Sequence, residues 1–140
     1  MNREIKFRAK HIHVTSCNEH LNGVWVYGYL CGGGYYIEPE EGIEKLIDSD
    51  TVGQYIGIKD ANGKEIFEGD IVQRDIFGEK VIGEVTWADM VGTGFYLKIK
   101  QQNGIGFYPM NRGQFDDDDG DMCNDIILGN IHDNPELLMN

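Results

Sequence analysis

The sequence predicts a mainly β protein: a small antiparallel sheet curled into a partly open barrel, with one or two short helices. A β-rich α+β fold is the alternative. The 140 residues include 19 glycines and only three prolines, which indicates many turns and therefore short strands. Apolar and polar residues alternate in most segments, whereas helical spacing is rare. The length predicts a single domain, residues 1–140, whose core needs no metal or disulfide.

The first third of the chain predicts a strand, a hairpin and a short helix. Residues 5–8 alternate apolar and basic side chains, which indicates an amphipathic first strand. Residues 24–30 and 35–37 are typical of the two arms of a hairpin, with three consecutive glycines between them. The apolar residues that follow Pro39 have helical spacing and predict a helix of about two turns. These residues are Ile43, Leu46 and Ile47.

The segment VGQYIGIKDANGKEIFEGDIV, residues 52–72, predicts a tight hairpin followed by a second turn. Asn62 and Gly63 form a strong hairpin signal because both residues tolerate positive φ. Asp60 can accept a hydrogen bond from the backbone two residues on, which favours a type I turn with a glycine bulge. Residues 68–70 then turn the chain into a new strand. The spacing of acids and glycines fits neither an EF-hand loop nor a phosphate-binding loop.

The second half of the chain predicts further short strands and a final helix. Alternating patterns in residues 81–87 and 95–99 indicate two amphipathic strands. Residues 105–108 and 126–128 have the composition of two shorter ones. Asn134 is followed by a proline and a glutamate, which is the pattern of a helix N-cap, and so predicts a short helix at the end of the chain.

The net charge of −12 comes mostly from the C-terminal end. Residues 116–140 contain eight acids and no lysine or arginine, whereas residues 1–115 contain 16 acids and 12 bases. An acidic surface repels phosphate, so direct nucleic-acid binding is disfavoured. Direct binding through basic residues stays open as an alternative. The basic cluster that could carry it consists of Arg3, Lys6, Arg8 and Lys10.

The three cysteines Cys17, Cys31 and Cys123 are widely spaced, and the sequence has no CxxC pair. This pattern is typical of free thiols in a reducing cytosol. The N-terminus has no apolar run of the kind found in signal peptides, and no stretch approaches the roughly 20 apolar residues of a transmembrane helix. We therefore expect a cytoplasmic protein that does not insert into a membrane. Short strands leave sheet edges that can pair, so a homo-oligomer is a further expectation left open.

No constellation of residues indicates catalysis, a metal or a cofactor, and we expect a protein that is not an enzyme. His11, His13, Cys17 and His20 lie close enough in sequence to bind zinc, but their spacing matches no zinc pattern, which favours a polar strand and loop. The acidic run at residues 116–121 could bind calcium weakly or mimic phosphates, although a solvated loop is favoured. The tyrosines of the predicted hairpin could stack on bases, form an interface or pack across strands. They are Tyr27, Tyr29, Tyr35 and Tyr36.

Three blocks of the sequence match a known family. REIKFRA covers residues 3–9, the hairpin segment covers residues 52–72, and ILGNIHDNPELL covers residues 127–138, which together make 40 of the 140 residues. With these blocks the chain resembles the YopX family, small proteins encoded by bacteriophages and prophages. It departs from the family at Lys10 and His11, where many members have Trp-Asp. The resemblance implies a β-rich fold and a phage origin, and it implies no catalytic activity.

The resemblance also implies which residues are candidates for a shared binding surface. The polar and aromatic residues of the matched hairpin block are Tyr55, Lys59, Asp60, Glu68 and Asp70. The resemblance, the absence of catalytic motifs and the acidic composition predict a non-enzymatic accessory protein of bacterial phage or prophage that binds a host or phage protein. The alternative is a modulator of nucleic-acid metabolism, acting through acidic DNA mimicry or through direct binding by the basic N-terminus.

Overall fold

The structure, a computed structural model, describes residues 5–12, 23–90, 92–101, 104–110 and 124–139, except for the side chain at position 101. The described residues confirm the mainly β prediction, because they form antiparallel strands and only short 3₁₀ segments. The strands are β1 (Phe7–His11), β2 (Trp25–Cys31), β3 (Tyr36–Glu38), β4 (Lys45–Lys59), β5 (Glu65–Phe67), β6 (Asp70–Ile76), β7 (Glu79–Asp89), β8 (Thr93–Gln101), β9 (Gly104–Pro109) and β10 (Ile126–Asn130). The 3₁₀ segments are Gly32–Gly34 and Pro135–Leu138.

The chain divides into two compact units, Met1–Gly57 and Ile58–Asn140. In the N-terminal unit β1, β2, β3 and β4 pair in that order, and β1 also pairs with β4, so this sheet is partly ring-like. Its inner face buries Ala9, Ile37 and Ile47. Removing these apolar side chains from water stabilises the curled sheet. The partly buried residues that pack against them are Phe7, Val26, Leu30 and Val52.

The predicted helix at residues 43–47 is wrong, because β4 begins at Lys45. Lys45 and Leu46 pair with β3, so their backbone groups bond across a sheet instead of along a helix. Ile47 is buried, at 3% exposure, while Ile43 is 78% exposed. The apolar spacing that suggested one helical face therefore includes a residue outside the core, and sheet pairing prevails over the local pattern.

Gly28 shows how closely the strands of this unit approach one another. A Cβ atom at this position would lie 2.1 Å from the backbone oxygen of Glu38 in β3. Any side chain would collide with the neighbouring strand, so β2 needs glycine here. The prediction of a hairpin over β2 and β3 is confirmed by the antiparallel register that pairs Tyr29 with Glu38.

The hairpin predicted at Asn62 and Gly63 is also confirmed. The amide of Gly63 donates to the carbonyl of Asp60 at 3.0 Å, and Gly63 has φ of 84°, as expected for a type I turn closed by a glycine bulge. The amide of Asp60 donates in turn to the carbonyl of Lys64 at 2.8 Å. This turn joins β4 to β5.

The C-terminal unit is built on an antiparallel sheet of five strands in the order β10-β6-β7-β8-β9. β6 to β9 follow one another along the chain and in space, and β10 returns to pair with β6. The strands predicted at residues 81–87, 95–99, 105–108 and 126–128 correspond to β7, β8, β9 and β10. The apolar side chains that this unit buries almost completely include Ile66, Ile71, Val72, Val85, Leu97 and Met110.

The final helix is confirmed as the 3₁₀ segment Pro135–Leu138, but the predicted cap is wrong. Asn134 makes no side-chain bond to the helix, and its Oδ1 instead accepts a hydrogen bond from the amide of Asn130 at 3.3 Å. Asn134 thus fastens the turn after β10. In the part of the chain that the structure describes, no helix has both the length and the apolar character needed to cross a membrane.

Candidate functional site

Asp60, the first of the predicted site residues, uses both carboxylate oxygens to hold backbone amides. Its Oδ1 accepts from the amides of Asn62 at 2.9 Å and Lys64 at 2.8 Å. Its Oδ2 accepts from the amide of Ile127 at 3.0 Å, 67 residues further along the chain. Only 5% of Asp60 is exposed. The carboxylate therefore shapes the hairpin turn and ties it to β10.

The turn at residues 68–70 directs its aspartate inward. Asp70 is 2% exposed, and its Oδ2 accepts a hydrogen bond from the amide of Phe67 at 2.8 Å. Gly69 donates its amide to the carbonyl of Val85 and accepts at its own carbonyl from the amide of Ile131, both at 2.9 Å. The turn is thus fixed by bonds on both sides, and the Asp70 carboxylate has a structural role.

The five predicted residues are distributed over both units. Tyr55 lies in the N-terminal unit, is 6% exposed, and has the Lys6 amine 5.8 Å from its ring centre. Lys59 is exposed and Glu68 is half-buried in the C-terminal unit. Two carboxylates and one ring are therefore occupied by contacts inside the protein. A binding surface shared by all five residues stays a prediction.

The C-terminal unit contains a buried ion pair that the sequence does not predict. Arg74 and Asp125 are joined by two hydrogen bonds, from Nε to Oδ1 at 2.8 Å and from Nη2 to Oδ2 at 2.7 Å. Arg74 also donates to the carbonyl of Pro109, and the carbonyl of Asp125 accepts from the amide of Ala61 at 2.8 Å. The pair links β6 to the hairpin turn. Arg74 and Asp125 are 51 residues apart, so no sequence motif indicates that they pair.

The outer face of the N-terminal sheet brings basic and aromatic side chains together. In the antiparallel register Arg8 lies opposite Tyr27 and Lys10 lies opposite Trp25. Alternate residues of a strand share one face, so the basic residues of β1 form a row beside the aromatic residues of β2. We call this row the cation–aromatic face, and it consists of Lys6, Arg8, Lys10, Trp25, Tyr27 and Tyr29.

Contacts within the cation–aromatic face hold part of it in place. The guanidinium carbon of Arg8 lies 4.7 Å from the centre of the Trp25 ring, and the Lys10 amine lies 5.5 Å from the same ring. Arg8 is only 7% exposed. Each such contact stabilises by about 0.5–2 kcal/mol, more where water is excluded. Tyr27 and Tyr29 remain 46% and 58% exposed. The face therefore joins a fixed Arg–Trp stack to two accessible rings.

The bases and the tyrosines of this face stand out in the sequence, but nothing in the sequence places them side by side. The basic residues of β1 and the aromatic residues of β2 each recur at every second position, which predicts that each set lies on one face of its strand. The sequence does not give the register between the two strands, and the register decides which residues become neighbours.

Of the four residues that suggested a zinc site, the structure describes His11. The Nδ1 atom of His11 donates to the carbonyl of Leu46 at 2.7 Å, so this ring nitrogen bonds the sheet. His13, Cys17 and His20 lie outside the described residues, as does the acidic run at residues 116–121. Among the residues that the structure does describe, no group of three His, Cys, Asp or Glu side chains could hold a metal ion.

Cys31 is a free thiol at the end of β2, and its sulfur donates to Oε2 of Glu44 at 3.5 Å. Burial, the hydrogen bond to Glu44, and the negative charges of Glu44 and Glu38 raise the pKa of the Cys31 thiol. Each of these influences disfavours the thiolate, which is the nucleophilic form. The surroundings of Cys31 are thus the opposite of those that activate a catalytic cysteine.

Comparison with protein families identifies the family of the chain. The model of the family described as "YopX protein" matches residues 10–139. The matched range includes the hairpin at residues 52–72 and the closing block at residues 127–138, and it begins just after the REIKFRA block. A search of curated proteins finds no match to the chain.

Proposed function

Because the chain belongs to the YopX family, whose model spans nearly its whole length, we propose that it is a phage or prophage accessory protein that acts by binding another protein, without catalysis. The resemblance to phage-encoded proteins supports the origin. The cation–aromatic face supports the mode of action. The proposed partner is a host or phage protein that docks on this face of the N-terminal unit.

The composition of the cation–aromatic face carries the proposal. Tyrosine, tryptophan and arginine are the residues that most often dominate the binding energy of protein interfaces. Here Tyr27 and Tyr29 are exposed beside the stack of Arg8 on Trp25. Because the stack is formed before any partner arrives, little side-chain entropy is lost there on binding.

The size of the expected effect follows from the two exposed rings. A tyrosine that loses about 100 Å² of apolar surface to a partner contributes roughly 2–3 kcal/mol to association. Tyr27 and Tyr29 together are thus expected to change the dissociation constant by about a thousandfold or more, up to about ten-thousandfold. Basic side chains at the rim favour a partner whose facing surface is acidic or neutral.

Direct binding of nucleic acid by the same face is the alternative. Aromatic rings beside cations are also typical of surfaces that bind single strands. One observation favours a protein instead: the net charge of −12 opposes the approach of a phosphate backbone.

Affinity capture from lysates of the host, with and without phage, tests the proposal. We expect the wild-type chain to retain a specific protein that the double variant Tyr27→Ala, Tyr29→Ala does not retain. Phe77→Ala is the matched control, because Phe77 is a fully exposed aromatic residue in the C-terminal unit. The proposal is contradicted if all three chains retain the same proteins. Retention that nuclease treatment abolishes would favour the nucleic-acid alternative.

A further inference from the structure

A second surface, in the C-terminal unit, has the chemistry of a ligand groove. It is an open groove of about 490 Å³ on the face of β7, β8 and β9, beside the C-terminal 3₁₀ helix. Its apolar lining includes Ile82 and Ile105 from the sheet and Leu137 from the helix. Lys80, Lys98 and Lys100 line it with amines. We call this surface the lysine groove.

The residues that line the lysine groove include more amines than carboxylates. Lys80, Lys98 and Lys100 are exposed, and within the described part of the chain no ion pair or hydrogen bond of their side chains occurs. The acid in the lining is Glu84, which lies opposite Lys98 in the register of β7 and β8. The lining therefore keeps a net positive charge in a chain whose net charge is −12. An anionic ligand has complementary charge here.

The spacing of the lysines points to an extended ligand. Lys98 and Lys100 are two residues apart on β8, so they project on the same side about 7 Å from each other. Two acids at positions i and i+2 of an extended peptide have the same separation. A small amphiphile with one carboxylate would match one amine and leave the second unmatched.

We propose that the lysine groove binds an acidic, extended peptide segment of a partner protein. Two acids of the peptide, two residues apart, contact Lys98 and Lys100. An apolar side chain on the same side of the extended peptide packs on Ile105 and Leu137. This site is separate from the cation–aromatic face, so it holds whether or not the proposed function is correct. Ile105 is 56% exposed, so its cover by a ligand removes apolar surface from water.

Peptide binding to the full chain tests this site, with fluorescence anisotropy at low salt as the readout. The probe is a labelled eight-residue peptide with Glu at positions 2 and 4, Leu at positions 6 and 8, and Ser elsewhere. We expect the double variant Lys98→Gln, Lys100→Gln to bind about tenfold more weakly at low salt, because two charge contacts at an exposed surface are lost. The same loss is expected when Gln replaces Glu in the peptide. Lys64→Gln is the matched control, since Lys64 is an exposed lysine of the same unit and is expected to leave binding unchanged.

A second variant separates the apolar contribution from the ionic one. Ile105→Thr is expected to weaken the acidic peptide several-fold without changing its salt dependence, because it removes apolar contact and no charge. The proposal is overturned if the wild-type chain does not bind the peptide at millimolar concentration, or if the Gln peptide or the double lysine variant binds equally well. It is also overturned if a thymidine oligonucleotide displaces the peptide equally well, since the groove would then be a general anion surface.

Discussion

Replacing Asp60 by alanine tests whether the acid-rich hairpin is a structural device. The substitution removes the acceptor of three amide hydrogen bonds. Asn62 and Lys64 lie at an exposed turn, where water replaces the carboxylate in part, so each bond is worth about 1 kcal/mol. The bond to Ile127 ties two distant segments together and is worth about 1.5–2 kcal/mol. We therefore expect the free energy of unfolding to fall by about 3–4 kcal/mol.

Urea unfolding of the C-terminal unit measures this loss. Trp87 lies in that unit, so its fluorescence in a Trp25→Phe background reports on the relevant transition. Asp75→Ala is the matched control, because Asp75 accepts from one amide, that of Gly78, at an exposed turn. The control is expected to cost about 1 kcal/mol or less. If the Asp60 variant loses no more than the control, the carboxylate is not the structural group that its three bonds indicate.

Three further predictions concern stability and reactivity. Arg74→Met removes the cation that pairs with the buried Asp125 carboxylate and is expected to lower the free energy of unfolding in urea by about 3–5 kcal/mol. A decrease of less than about 1 kcal/mol would contradict the buried pair. Gly83→Ala places a Cβ atom 2.6 Å from a backbone oxygen of β8 and should lower the free energy of unfolding by about 1–3 kcal/mol. Gly94→Ala, where a Cβ atom would have no neighbour within 4 Å, should change it little. Equal melting temperatures for the two variants would contradict this. The raised pKa of Cys31 keeps its thiol protonated where an ordinary thiol is partly ionised. In a background without the other two cysteines, its alkylation rate should therefore rise at higher pH than that of free cysteine, and a midpoint at or below the ordinary value would contradict the assignment.

Most of the fold follows from alternation and turn chemistry in the sequence. The hairpin at Asn62 and Gly63 was predictable because the residues that tolerate positive φ are local to the turn. The helix predicted near Leu46 was wrong because the competing interaction, pairing with β3, lies outside the local window. Secondary structure that depends on a distant partner strand is not encoded in spacing alone.

The candidate surfaces were less predictable than the fold. Asp60 and Asp70 were identified as notable, but their carboxylates bond amides that sequence reasoning could not place, one of them at Ile127. The cation–aromatic face was present as two separate observations, a basic strand and a tyrosine-rich strand. The pairing of Arg8 with Tyr27 made them one surface, because register decides which alternating residues become neighbours.

Site-specific crosslinking tests most directly whether the chain acts by binding a protein through the cation–aromatic face. A photoreactive phenylalanine analogue is placed at Tyr29, which is 58% exposed in the N-terminal unit, or at Phe77 as the exposed control in the C-terminal unit. After irradiation in host cells that express each variant, we expect a discrete protein adduct from position 29 and none from position 77. The same adducts from both positions, or adducts at position 29 with nucleic acid alone, would contradict the proposed protein partner.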